Sequence, residues 1–296
     1  MGDNGRGPDL VVESDGCGGG AVIGGTLVRL RSPVPAVLFA TALVGVIMSE
    51  HWSPLLFATV PLTLVTLLRP ELVDLPQAWF GACAAWAVVA VVRRSDMEDH
   101  VFLYVAWLLA VAISLLDRES FTETAALQGR RLIGVVFGLA VFWKLFFGDF
   151  VTGVALWTYG ALDDRFAPLM RLVGISPEET QRSFESVEHL AVGHLETLPI
   201  EVSTYTSLAL VLVAVGALLL EALVAVAYSA PDGGRLERLR VPALGLFGVI
   251  TYGLVPVLSF ATLLALMGSV VARFERRRVV VLVLMVVAAS VRSILV

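Results

Sequence analysis

The sequence predicts an all-α fold, a polytopic integral membrane bundle of about eight transmembrane helices with a small polar cap. Three observations carry that expectation. Hydrophobic residues make up 57% of the 296-residue chain and charged residues only 16%. The mean hydropathy is +0.85, well above that of a soluble domain, which needs a charged exterior to stay dispersed. Apolar runs near the 17–25 residues that cross a bilayer recur between short charged breaks.

Taken in chain order, residues 1–31 form a polar tail that starts acidic rather than basic, so it does not read as a secretory signal. The remainder, 32–296, is one helical membrane domain. Spans are expected at 33–49, 52–68, 77–92, 101–116, 131–147, 205–228, 243–272 and 279–296. Breaks fall at Arg69-Pro70-Glu71, Arg93-Arg94-Ser95-Asp96 and Asp117-Arg118-Glu119. The seventh span carries Pro256 in its middle and is long enough to kink or split. Residues 163–204 are the only sizeable polar stretch after the tail and are expected to form an extramembrane cap. Within it, Ser176-Pro177-Glu178-Glu179 reads as a helix start, with Ser capping, Pro in the first turn and acids at the positive end of the dipole. Orientation by the positive-inside rule conflicts with itself. A cytoplasmic N-terminus puts Arg235, Arg238 and Arg240 inside, but a single seventh crossing then puts Arg273 and Arg276–Arg278 outside.

A formal charge of −5 gives nucleic-acid binding no electrostatic support. Cys17 and Cys83 imply neither a disulfide framework nor a metal site. His189 and His194 stand five apart, a spacing that does not share a helical face, so no metal is expected there either. Gly134 and Gly138 have the GxxxG spacing that lets two membrane helices approach closely. Trp143, Trp157 and Tyr159 suit the interfacial aromatic belt.

Lys144 is the single lysine among 21 basic residues. A lysine at mid-bilayer costs roughly 2.5–3.5 kcal/mol and is a functional candidate for that reason. It also lies about 5 Å from the helix end at Phe147, close enough to snorkel to the headgroups, so anchoring and function both remain open. Glu221 is deeper, about 10 Å from the nearer end of its run. It must accept hydrogen bonds, pair with a cation or hold a proton, whether as a structural tie or as part of a site. If the two pair, both stay charged and Lys144 is a poor base.

Phe142-Trp143-Lys144-Leu145, followed by Gly148-Asp149-Phe150 and Val151-Thr152-Gly153, resembles the lysine-leucine, aspartate-aromatic, glycine pattern of the horizontally transferred transmembrane domain family. That family contains the prokaryotic relatives of vitamin K-dependent γ-carboxylase. Leu220-Glu221-Ala222-Leu223, the arginine-rich turn at 235–240 and Leu246 to Phe260 follow in the same order. The resemblance implies a cell-membrane, multi-pass protein with a quinone or hydroquinone as cofactor. It makes Lys144 the catalytic base, a role arginine could not fill because it does not deprotonate, and it puts Glu221, Trp143, Asp149, Thr251 and Tyr252 around the ligand. Three departures stand out: Thr251-Tyr252 replaces an expected histidine, the bulky Phe142 and Trp143 replace small residues, and the carboxylase's soluble domain has no counterpart here. Two other readings compete. One is a non-catalytic module that binds a protein partner through the acidic cap. The other is a small-solute transporter with Lys144 and Glu221 along its path.

Overall fold

The computed structural model describes residues 33–49, 53–94, 99–176, 178, 179 and 203–295. Every regular element among them is helical: α1 (Pro33–Met48), α2 (Ser53–Leu68), α3 (Pro70–Val73), α4 (Pro76–Val92), α5 (His100–Ser114), α6 (Phe121–Phe147), α7 (Val154–Leu162), α8 (Ala167–Leu172), α9 (Thr204–Ser229), α10 (Arg240–Leu254), α11 (Leu258–Val271) and α12 (Arg276–Leu295). Short 3-10 turns at Asp164–Phe166 and Arg235–Leu239 precede α8 and α10. The all-α expectation holds. The N-terminal tail, Cys17, His189 and His194 lie outside the described residues.

Among the described residues one helix, α9, is long and apolar enough to cross a membrane by length and composition. Its 26 residues give about 39 Å at 1.5 Å per residue, and Ser203 starts it by accepting the Thr206 amide at 3.1 Å. Five further apolar helices among the described residues are shorter, at 10–17 residues. The core between them is dominated by Trp79, Trp86, Tyr104, Trp107 and Phe121, all nearly inaccessible. Three of them bond inside the bundle: Trp79 Nε1 donates to the Val73 carbonyl at 2.8 Å, Tyr104 Oη to the Thr41 carbonyl at 3.0 Å and Trp107 Nε1 to Thr41 Oγ1 at 3.1 Å. Such internal pairing is needed where water is scarce.

Three expectations change. The fifth expected span starts at Phe121, not 131, because the Arg130-Arg131 pair is no boundary: Phe121, Ala125 and Gly129 are buried on successive turns before it, and Arg130 reaches out to Asp232 at 2.7 Å. The 243–272 run is two helices, broken at Val255-Pro256-Val257 where proline cannot donate an amide. They fold back as a hairpin, since Gly268 of α11 lies beside Leu244 of α10, with Leu282 of α12 on the same level. The described residues therefore contain nine helices of 14 residues or more. Finally, the first part of the expected polar cap is not a free-standing surface feature. Leu169, Met170 and Val173 are buried together with Leu156 of α7 and with Leu210 and Ala214 of α9 as a second, smaller core. The helix start expected at Ser176 is seen in its reciprocal bonds. The Ser176 amide donates to Glu179 Oε2 at 2.7 Å, and the Glu179 amide donates to Ser176 Oγ at 3.2 Å.

The hairpin also removes the conflict over orientation. Because α11 returns to the level at which α10 began, Arg273 and Arg276–Arg278 stand at the same end as Arg235, Arg238 and Arg240.

Candidate functional site

Helices α6 and α9 run antiparallel, and three contacts fix their register. Arg130 meets Asp232, Gly134 meets Ser229, and Lys144 meets Glu221. At Gly134 the backbones are so close that a Cβ would lie 3.0 Å from Ser229 Oγ, whereas one at Gly138 would meet nothing within 4 Å. Only the first glycine of the pair therefore does the packing expected of both. Beyond Gly138 the two helices part, and a cavity of about 920 Å³ opens.

Lys144 and Glu221 sit in its wall, joined directly from Nζ to Oε1. The Glu221 side chain is 10% exposed and that of Lys144 26%, so the carboxylate is the buried partner and the ammonium faces the open space. Phe150 lies under the ammonium with its ring centroid 4.4 Å from Nζ, a cation–π contact that a desolvated charge makes favourable. Gly148, at φ 75°, ends α6 in the left-handed conformation and turns the chain so that Phe150 can return beneath Lys144.

The structure brings all six residues expected at a site around this one cavity: Trp143, Lys144, Asp149, Glu221, Thr251 and Tyr252. Their situations differ. Trp143 is 60% exposed and packs edge-on to Phe147 at 4.5 Å. Asp149 is exposed, and its carbonyl accepts the Thr152 hydroxyl at 2.9 Å. Thr251 and Tyr252 come from the last turn of α10, next to the Val255–Val257 break. Two polar atoms, Glu221 Oε2 and Tyr252 Oη, are buried with no hydrogen-bond partner among the described residues. Each costs free energy unless something meets it.

Sequence reasoning missed two participants. Phe150 was read as part of a motif, without its contact to the ammonium. His100, from α5, bonds Ser259 Oγ through Nε2 at 2.9 Å and stacks on Phe260 at 5.6 Å. Phe260 in turn lies edge-on to Tyr252 at 6.1 Å. A histidine thus reaches the neighbourhood where α10 itself supplies Thr251-Tyr252, and its only sequence signal was a polar pair, Asp99-His100, at the head of an apolar run. Among the described residues no group of three or more His, Cys, Asp or Glu side chains is arranged to hold a metal.

Chemically, the arrangement offers a cation donor, an acceptor-only carboxylate oxygen and a phenol on an aromatic-walled cavity. An ion-paired ammonium has no lone pair to offer, so as placed Lys144 orients and neutralises rather than acts as a base. No family model matches the chain, and neither a curated protein nor a solved structure resembles it closely enough to count as a match.

Proposed function

We propose that the chain is a multi-pass membrane protein whose cavity binds a lipid-soluble molecule with a polar, planar head, of the quinone and hydroquinone class. The membrane reading is supported by what the helices leave outside. Val88, Leu139, Leu212, Leu219 and Leu284 are all more than half exposed, large apolar side chains spread over α4, α6, α9 and α12 in a number that a water-soluble monomer would not carry. The hairpin α10–α11 is short, its arms about 22 and 21 Å at 1.5 Å per residue. It dips to the level of the cavity instead of crossing as one long span.

The observation that carries the binding reading is the pair of buried, unpartnered atoms, Glu221 Oε2 and Tyr252 Oη, beside Lys144. A ring bearing oxygens can satisfy all three groups at once: the ammonium and phenol donate to a carbonyl or hydroxyl oxygen, and the carboxylate accepts from a hydroxyl. Phe147, Phe150, Tyr159 and Phe166 supply flat apolar walls, and the volume suits a small-molecule head with the start of its tail. The lysine-base chemistry that the family resemblance implies needs one further event. The Lys144–Glu221 pair must open and the ammonium must lose its proton before it can take one from the ligand.

Titrating purified protein with short-chain quinol and quinone, read by tryptophan fluorescence, tests the binding. Lys144→Met and Glu221→Gln should each weaken it at least tenfold; equal affinity in all three proteins would refute it. Quinol epoxidation and CO2 incorporation, measured with Lys144 kept or replaced by Arg or Ala, test the catalytic extension, which ends if the three behave alike.

A further inference from the structure

The hairpin gathers arginines that the linear sequence had divided between two sides. Arg235 and Arg238 lie in the 3-10 turn before α10, Arg276 and Arg277 open α12, and all four are exposed. Helices α10 and α12 run side by side and parallel, with Gly245 against Val281 and Gly248 against Met285, so their starting turns stand at one level. Apart from Asp117 and Glu119 before α6, which form no ion pair among the described residues, the carboxylates at this end are committed elsewhere. Asp232 binds Arg130 and Arg240 at 2.7 and 2.6 Å, Glu275 binds Arg278 at 2.7 Å, and Asp74 binds Arg118 at 2.5 Å. Glu237 accepts the Gly233 amide at 2.6 Å, and Glu123 lies 4.0 Å from Arg273. Among the described residues, Arg235, Arg238, Arg276 and Arg277 have no carboxylate at ion-pair distance.

Large apolar side chains are interleaved with these cations. Leu236 is 37% exposed, Leu239 43% and Phe274 37%. A face that held a soluble anion or nucleic acid would have no use for them. At a lipid surface the two sets have separate places, apolar groups at the acyl boundary and guanidinium forks on phosphates, which they match bidentately.

We propose that this end of the bundle binds anionic phospholipid headgroups, with Arg235, Arg238, Arg276 and Arg277 on the phosphates and Leu236, Leu239 and Phe274 in the acyl boundary. The same face then looks toward the cytoplasm, where positive loops are retained and the leaflet is anionic. This inference is independent of the cavity and its ligand.

The test uses the full chain in nanodiscs of phosphatidylcholine with or without phosphatidylglycerol, scoring retained lipids by native mass spectrometry and stability by Tm. Wild type should retain phosphatidylglycerol preferentially and melt higher in its presence. At about fivefold per arginine, R276Q/R277Q should lower that retention by on the order of twentyfold while leaving Tm in pure phosphatidylcholine unchanged. If that variant does not fold, R235Q/R238Q provides the same comparison. Undiminished phosphatidylglycerol retention in a folded variant overturns the proposal. So does stabilisation of wild type by inorganic phosphate alone to the same extent, which would mean an adventitious ion only.

Discussion

Helices α6 and α9 are tied together by ion pairs at two levels, and the two ties are built differently. At the arginine end, Asp232 receives Arg130 and Arg240, and Arg240 also donates through Nε to the Ala227 carbonyl at 3.1 Å and through Nη2 to the Ala230 carbonyl at 2.6 Å. Arg240 is only 5% exposed, and its fork fills the carbonyls that α9 leaves open at its C-terminus. About two turns along α9 toward its start the cavity begins, and in its wall lies Glu221, whose second oxygen meets nothing, opposite a lysine that faces open space. At the latch every nitrogen of the Arg240 fork is met from within the chain, although the buried Tyr228 hydroxyl nearby has no partner among the described residues. A binding site leaves some polar atoms for the ligand. The use of arginine at the first and lysine at the second follows the same division, because the fork is suited to fixed carbonyl geometry and the flexible ammonium to an incoming partner.

This contrast predicts opposite profiles for the two sites. The largest stability loss belongs to the latch: Arg240→Met removes a buried cation, strands two carbonyls and should cost about 3–5 kcal/mol. Ligand affinity should be unchanged in whatever fraction remains folded, as measured by thermal melts and quinol titration. A smaller loss, about 1–3 kcal/mol from overpacking, is expected for Gly134→Val, whose side chain would press on Ser229, whereas Gly138→Ala should be near neutral. Lys144→Met should cost less than Arg240→Met, since the lysine side chain is 26% exposed and no carbonyls are stranded with it, yet it should weaken ligand binding at least tenfold. If Lys144→Met destabilises as much as Arg240→Met and binding persists, the two sites are both latches and the comparison fails.

The smallest effect is on pH. The hydrogen bond from Arg240 and the charges of Arg130 and Arg240 hold the Asp232 carboxyl below its usual value of 3.8, against some desolvation. A carboxyl whose folded pKa is depressed adds stability above its unfolded pKa and loses it as pH falls through the folded one. The latch should therefore be fully formed at neutral pH and weaken only below about pH 3.8. Asp117, which accepts from the Ser120 hydroxyl at 2.8 Å, is likewise lowered and contributes in the same acid range. In Asp232→Asn the acid-induced fall in Tm should be shallower than in wild type; an identical acid limb would remove Asp232 from the account.

Much of this architecture was legible from apolar run lengths. The ends of α1, α2, α4, α9 and α12 fall within a few residues of the expected spans because long apolar stretches stop where charges begin. The same rule failed at Arg130-Arg131, where a cation within a helix finds its carboxylate 102 residues away. It failed again at 243–272, since composition records the break at Pro256 but not whether the chain continues or returns. At the cavity, the lone lysine and the deep glutamate were each visible as unusual residues. That they touch was not, because their 77-residue separation is closed only by the antiparallel register of α6 and α9. Phe150 and His100 were missed for the same reason: an aromatic or a histidine in an apolar chain becomes significant only through what it faces.

Photoaffinity labelling with a diazirine-bearing short-chain quinone tests most directly whether the cavity is the site of binding. Labelling that excess quinol competes away should map to the peptides spanning 143–150 and 251–257 and disappear in Glu221→Gln. Label distributed over the exposed apolar surfaces of α9 and α12, unaffected by competitor and by Glu221→Gln, would contradict the assignment.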